Sequence, residues 1–217
     1  MLKILSSKTS ILNQYLAEIR DIEIQKDSLR FRRNMERIGE IFAYEISPFL
    51  KWENKDVVTS LGTAHCQTLT QQPVIATILR AGLPMHQGLL NYFDKAENAF
   101  ISAYRKHHKD NSFDIKIEYI SSPDLNNKTL ILSDPMLATG ASMVLAYKEL
   151  LHQGTPSHTH IVSVLASAQG VEYVKKHMPV GSYTLWLGAV DEELTAQSYI
   201  VPGLGDAGDL AFGIKNG

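Results

Sequence analysis

A chain of 217 residues can bury one α/β core but is short for two independent ones, and 21 Lys and Arg against 23 Asp and Glu leave a formal charge of −2. That balance excludes the global basic field that binds nucleic acid by bulk charge, and the single cysteine, Cys66, excludes an internal disulfide framework. No apolar run reaches membrane-spanning length, and residues 1–16 lack an apolar stretch with a small-residue cleavage site, so a cytoplasmic protein without a membrane partner is expected.

The first clear periodicity lies at residues 28–47, where Phe31, Met35, Ile38, Phe42 and Ile46 recur near a 3.6 period. This predicts a long amphipathic helix with Ser28 as N-cap, ended near Pro48, and its arginines Arg30, Arg32, Arg33 and Arg37 are taken as a solvated face. Residues 57–69 alternate weakly and predict a peripheral hairpin or arm turning at Leu61-Gly62-Thr63. The β-branched run 74–79 predicts a buried parallel strand, followed by a helix that Pro84 starts and that runs to Phe93. A strand at 99–104 follows, then a polar stretch at 105–114 expected as a mobile loop that returns through an alternating ribbon at 115–120.

Two further strand and helix pairs are predicted at 129–133 with 142–152, and at 160–166 with 168–177, before a last strand at 183–187. Strands alternating with helices of this length predict an α/β fold, a parallel sheet flanked by helices, whose ligands bind beyond the carboxyl ends of the strands. His158 and His160 share one face of a predicted strand without a third ligand, adjacent His107 and His108 are taken as solvated, and Trp52 and Trp186 as packing residues.

Chemistry concentrates where strands end. The tract Asp134-Pro135-Met136-Leu137-Ala138-Thr139-Gly140-Ala141-Ser142 is entered by an apolar strand and left by a helix. A turn of that kind points its main-chain N–H groups and the positive end of the helix at an anion. Gly140 permits an unusual backbone angle, Thr139 and Ser142 add hydroxyls, and Ser142 is also able to cap the helix. The tract matches neither G-x-x-x-x-G-K-[ST] nor G-x-G-x-x-G, which argues against a triphosphate. Upstream, Ile78-Leu79-Arg80-Ala81-Gly82-Leu83 is a second strand-to-turn passage with a guanidinium in it; near the end, residues 199–209 form a turn-rich stretch with two acids, Asp206 and Asp209.

Together these segments, with Ala103-Tyr104-Arg105 between them, resemble the uracil phosphoribosyltransferase family over roughly Ser28 to the C-terminus. The family pattern runs I-L-R-A-G-L, M-Y-R, D-P-M-L-A-T-G-G-S, Y-I-x-P-G-L-G-D-A-G-D. Here Ala141 replaces the second Gly of the phosphate tract, Pro84 stands where Gly is frequent, and Gln87 where an acid is common.

The resemblance implies one phosphoribosyltransferase domain of type I-like fold over residues 1–217. Its parts are a helix and arm at 1–72, a core at 73–190 and a base-binding hood at 191–217. It implies transfer of 5-phosphoribosyl from phosphoribosyl diphosphate (PRPP) to uracil, giving UMP and diphosphate, with Mg²⁺ brought by the substrate. Arg80, Ala81, Gly82, Arg105, the tract Asp134 to Ser142, and Asp206 are then expected to bind PRPP, and Ile200, Gly205, Asp206 and Ala207 to bind uracil. Arg80 and Arg105 suit the departing diphosphate, Asp134 the ribose hydroxyls. Asp206 matches a position linked to PRPP through metal-bound water, with a general base toward uracil N1 as the alternative, and Asp209 is taken as a structural acid. The metal ligands stay unassigned, and the contribution of residues 106–110 to diphosphate contact stays open. A homodimer and activation by GTP are further expectations from the family. The competing reading is a nucleotide-sensing regulator built on the same fold.

Overall fold

The computed structural model describes residues 1–107 and 113–215, with the side chains of 104–107 and 113–116 outside the description. In chain order the elements are β1 (Leu2–Ile4), α1 (Ile11–Arg20), α2 (Ser28–Ile46), β2 (Trp52–Thr59), β3 (Gly62–Leu69), β4 (Val74–Leu79) and α3 (Leu83–Leu90). There follow β5 (Glu97–His107), β6 (Phe113–Ser121), β7 (Thr129–Ser133), β8 (Met136–Leu137), α4 (Ala141–Leu150), β9 (His158–Ser167) and α5 (Ala168–His177). β10 (Tyr183–Asp191), β11 (Glu193–Leu194), β12 (Ile200–Val201) and α6 (Ala207–Phe212) complete the chain.

Seven strands form the path β1-β10-β9-β7-β4-β5-β6, with β8 paired beside β9, and every pairing is parallel except β5 with β6. The parallel strands read as near-continuous apolar runs because both faces are covered. On one face α1, α2 and α3 pack with Phe31, Ile38, Phe42, Met85 and Trp186 in the core; on the other, α4 and α5 bury Leu130, Leu132, Met143, Val144 and Val171.

The sheet also takes in Leu2–Ile4, which pair with Leu185–Leu187. Neither this strand nor α1 is expected from the sequence pattern. A three-residue strand is too short for a period, and α1 is preceded only by a Ser10 cap that reads as ordinary loop polarity. The long helix is as predicted, but its N-cap is Asp27, whose carboxylate accepts from the N–H groups of Leu29 and Arg30. Asp is at least as good a cap as Ser, and here it stands one residue earlier.

The hairpin pairs Trp52 with Leu69 and Thr59 with Gly62, starting earlier than the alternation suggested. β2 is exposed throughout, so Trp52 is not a packing residue: it is 44% exposed and donates Nε1 to the Ser47 carbonyl. Trp186 is fully buried, and its Nε1 donates to His160 Nδ1 at 3.0 Å. His158 and His160 do share a face, their rings 4.9 Å apart at the amino end of β9, opposite the carboxyl edge of the sheet. Burial, then the neighbouring His158 and Lys3 charges, push the His160 imidazole down to about 3.

Residues 105–107 continue β5 and residues 113–114 begin β6, so the expected loop is shorter than the polar composition suggested. Its remainder lies outside the described residues.

Candidate active site

β4 and β7 are neighbours, with Thr77 opposite Ser133, so the turns that leave them lie side by side at the carboxyl edge of the sheet. Thr77 Oγ1 donates to the Ser133 carbonyl at 3.3 Å and Ser133 Oγ to the Ala76 carbonyl at 3.1 Å. These bonds fix the two strand ends against each other before either turn begins.

The turn after β7 forms a small concavity of about 250 Å³ including its open mouth, lined by Asp134, Met136, Leu137, Ala138, Thr139, Gly140, Ser142 and Met143. Gly140 adopts φ 78 and is itself the N-cap of α4, which corrects the expectation that Ser142 caps the helix. Ser142 lies inside the first turn, where the backbone N–H groups have no intrahelical acceptor and face outward from the helix end. Thr139 Oγ1 accepts from Ala141 N–H at 3.4 Å, and Asp134 Oδ1 from Met136 N–H at 3.4 Å. Pro135 and Ala141 do not line the concavity. Pro135 is buried, and its carbonyl accepts from Val164 and Leu165 N–H at 3.1 and 3.0 Å, pinning the tract to β9.

Two residues that sequence reasoning missed hold the concavity from behind. Ser167 caps α5, accepting from Gly170 N–H at 2.8 Å, and donates Oγ to the Ala138 carbonyl at 2.5 Å. A Cβ on Gly170 would stand 2.4 Å from that same carbonyl, and one on Gly140 would stand 2.8 Å from Gly170 O. The Ser-Ala-Gln-Gly start of α5 was a visible capping signal, though nothing in it announces a contact with residue 138.

The turn after β4 carries Arg80, joined to Leu79 by a cis peptide. Arg80 Nη2 donates to Asp209 Oδ1 at 2.6 Å and to the Gly213 carbonyl at 2.7 Å, whereas its buried Nε has no hydrogen-bond partner. Asp209 therefore has a defined partner across the site. Ala81 and Gly82 lead into α3, and Gly82 packs so closely on Thr77 that a Cβ there would lie 2.1 Å from its Oγ1. Arg105 sits opposite Ile115, three residues past the last pair that β5 shares with β4.

Residues 191–213 fold over this edge. β11 and β12 pair, Ile200 and Ala207 are buried in the core beneath α2, and Gly205 takes φ 93 at the surface. Asp206 caps α6, its Oδ1 accepting from Asp209 N–H at 3.0 Å. A Cβ on Gly208 would lie 3.1 Å from Asp206 Oδ1 and 3.5 Å from Arg80 Nε, so the cap of α6 and the arginine turn are in direct proximity.

Among the described residues no group of three or more His, Cys, Asp or Glu is placed to hold a metal ion. Asp134 and Asp206 each accept a main-chain N–H, and a hard cation arriving on a diphosphate needs only one or two such carboxylates besides water.

A mostly parallel sheet flanked by helices, with a concave strand-to-helix turn at its carboxyl edge, is the phosphoribosyltransferase fold of type I. The family model described as "Uracil phosphoribosyltransferase" matches residues 6–214, and the chain belongs to that family. It is 56% identical over 211 residues to the uracil phosphoribosyltransferase of Porphyromonas gingivalis, covering 97% of each chain. It is 40% identical over 189 residues to the enzyme of that name from Methanothermobacter thermautotrophicus, covering 86% of this chain and 85% of the other. The solved structure of the AQ2163 protein from Aquifex aeolicus is similar throughout, with a TM-score of 0.87 at 26% identity and full coverage of both chains.

Proposed function

We propose that the chain transfers the 5-phosphoribosyl group of PRPP to N1 of uracil, releasing diphosphate and forming UMP. The observation that carries this reading is the meeting of cradle, arginine turn and α6 cap at one edge of the sheet. The 5-phosphate takes the cradle, where directed N–H and hydroxyl donors outweigh the helix dipole, itself worth about 0.3–1 kcal/mol. Asp134 accepts from the ribose hydroxyls. The orphaned Arg80 Nε supplies a donor to the diphosphate, with Arg105 as a second cation for it.

As the C1–oxygen bond breaks, charge grows on the leaving diphosphate and the sugar becomes oxocarbenium-like, so fixed guanidinium donors favour the transition state over the ground state. Mg²⁺ carried by PRPP adds Lewis-acid neutralisation of the leaving group. Uracil N1 then bonds to C1 and gives up its proton, to water or to the Asp206 carboxylate. Main-chain groups of Ile200, Gly205 and Ala207 read the base edge; a fixed N–H facing the 4-oxo group rejects cytosine, which presents a donor there. The segment 191–213 excludes the water that would otherwise capture the sugar.

The exposed hairpin β2–β3, with Val58 84% and Leu61 99% exposed, suits a homodimer contact. No helix among the described residues is long and apolar enough to cross a membrane. The regulator alternative has no support in the family match, and the formal charge of −2 offers no field for RNA.

The test is UMP formation from uracil and PRPP with Mg²⁺, with and without GTP, against cytosine, hypoxanthine and orotate. Turnover confined to uracil is expected, reduced in Asp206→Asn; tight PRPP binding with no turnover on any base would move the reading to the regulator.

A further inference from the structure

The turn that follows β12 is held from beneath by residues outside every motif. Arg20, the last residue of α1, forks its guanidinium onto Asp191, with Nη1 to Oδ2 at 2.7 Å and Nη2 to Oδ1 at 2.8 Å. The same Nη1 donates to the Gly203 carbonyl at 3.0 Å, and Asp191 Oδ2 accepts from Gly203 N–H at 2.9 Å. Both polar groups of Gly203 are thus satisfied by one ion pair, largely shielded from water: the side chains are 23% and 8% exposed. Burial would push the Asp191 carboxyl up, but the bonds from Arg20 and Gly203 outweigh it and hold it below its usual range. Gln25, with its amide nitrogen turned inward, donates to the Ile19 and Leu204 carbonyls at 2.9 and 3.0 Å, fixing the next residue of the turn.

We propose that Arg20 and Asp191 are positioning residues for base recognition: by gripping Gly203 at both its N–H and its C=O they set the register in which the main chain of residues 200–207 meets the pyrimidine. The inference rests on the reading of that segment as the uracil subsite. A main-chain recognition surface cannot be tuned by exchanging its own side chains, so its accuracy depends on what fixes the backbone. A bidentate pair anchored on β10 and on a separate helix does so in two directions at once.

Near-isosteric changes separate this role from simple stability. Arg20→Lys keeps the charge but cannot fork both Asp191 oxygens and reach Gly203; Asp191→Asn keeps the shape but loses the charge. Each is expected to raise the KM for uracil by about tenfold, the scale of one charge-assisted bond, and to relax discrimination against cytosine, while PRPP binding measured without base stays within about twofold. The inference is overturned if the KM for uracil stays at the wild-type value, or if the uracil and PRPP constants shift by one common factor, as general loosening would produce. Should Asp191→Asn fail to fold, Arg20→Lys decides. Wild-type protein that makes no UMP would sink the reading of the site and this inference with it; wild-type turnover with an unchanged KM in Arg20→Lys sinks the inference alone.

Discussion

The proposed phosphate cradle and the proposed base-binding hood are built by opposite strategies. The cradle is local: nine consecutive residues leave one strand, turn at Gly140 and enter α4, and the groups lining the concavity belong almost wholly to that stretch. The hood is held at a distance, by Arg20 from 171 and 183 residues away and by Arg32, whose Nη1 donates to the Ala211 carbonyl from 179 residues away. A site for a phosphate needs convergent N–H groups, which a single strand-turn-helix passage supplies. A site that distinguishes bases by main-chain pattern needs a loop fixed in three dimensions, and short-range sequence cannot do that alone. Under the proposed function the N-terminal helices are therefore part of the site's support.

If the cradle is local and separate, damage there should fall on PRPP and spare uracil. Gly140→Ala places a side chain in the left-handed region, at about 1–2 kcal/mol, and brings its Cβ to 2.8 Å from Gly170 O. A fall of about 100-fold in kcat/KM for PRPP, near 2.7 kcal/mol, is expected, with the KM for uracil at saturating PRPP changed less than about threefold. Gly170→Ala should act in the same sense from outside the motif, since its Cβ would meet the Ala138 carbonyl at 2.4 Å. Equal losses in both substrates would show that cradle and hood are one mechanical unit.

The Arg80–Asp209 contact joins the turn after β4 to the hood, and it gives a smaller, asymmetric effect. Arg80→Ala should lower kcat/KM for PRPP by about 10- to 100-fold, because the proposed charge-assisted bond to the leaving group would be worth roughly 1.5–3 kcal/mol. Asp209→Asn should change it by less than about threefold, since the pair is 29% and 32% exposed and such pairs contribute about 0–1 kcal/mol. Steady-state kinetics on the two variants decide the point: a loss in Asp209→Asn as large as in Arg80→Ala would mean that the acid sets the arginine's working position.

How much of this was legible in the sequence follows the same division. The strand Val74–Leu79, the strand Thr129–Ser133 and the helix Ala168–His177 were placed to the residue, because their apolar runs end at Arg80, at Asp134 and at the Ser167 cap. The cradle was legible because its chemistry is contiguous. Arg20, Asp191 and Gln25 were not, because nothing marks an arginine at the end of a short helix as the partner of a turn more than 180 residues on. Arg32 was read as one of four solvated cations on α2, and periodicity cannot show that one of them reaches a carbonyl of α6. β8 was missed because two residues carry no period, and Asp27 because a neighbouring Ser offered an equally good cap.

The smallest effect concerns the joint between the two helices that carry the hood's ties. Glu18 on α1 accepts from Arg30 Nε and Nη2 at 2.8 and 2.9 Å and from Asn34 Nδ2 at 2.7 Å on α2, and these bonds, with one from Gln14, draw its carboxyl from 4.5 to about 2. A carboxylate lowered on folding adds stability that is fully present above its unfolded value and is lost as pH falls through the folded one. The contribution should therefore hold at pH 7 and fade between about 4.5 and about 2. Arg30 is 46% exposed, so screening by solvent keeps the pair's contribution to stability small. Glu18→Gln is expected to melt slightly lower at pH 7, to converge with the wild type as pH approaches 2.5, and to leave the KM for PRPP unchanged. A Tm gap that persists undiminished at pH 2.5 would assign the effect to packing, and a matching rise in the KM for PRPP would show that the helices support the cradle as well as the hood.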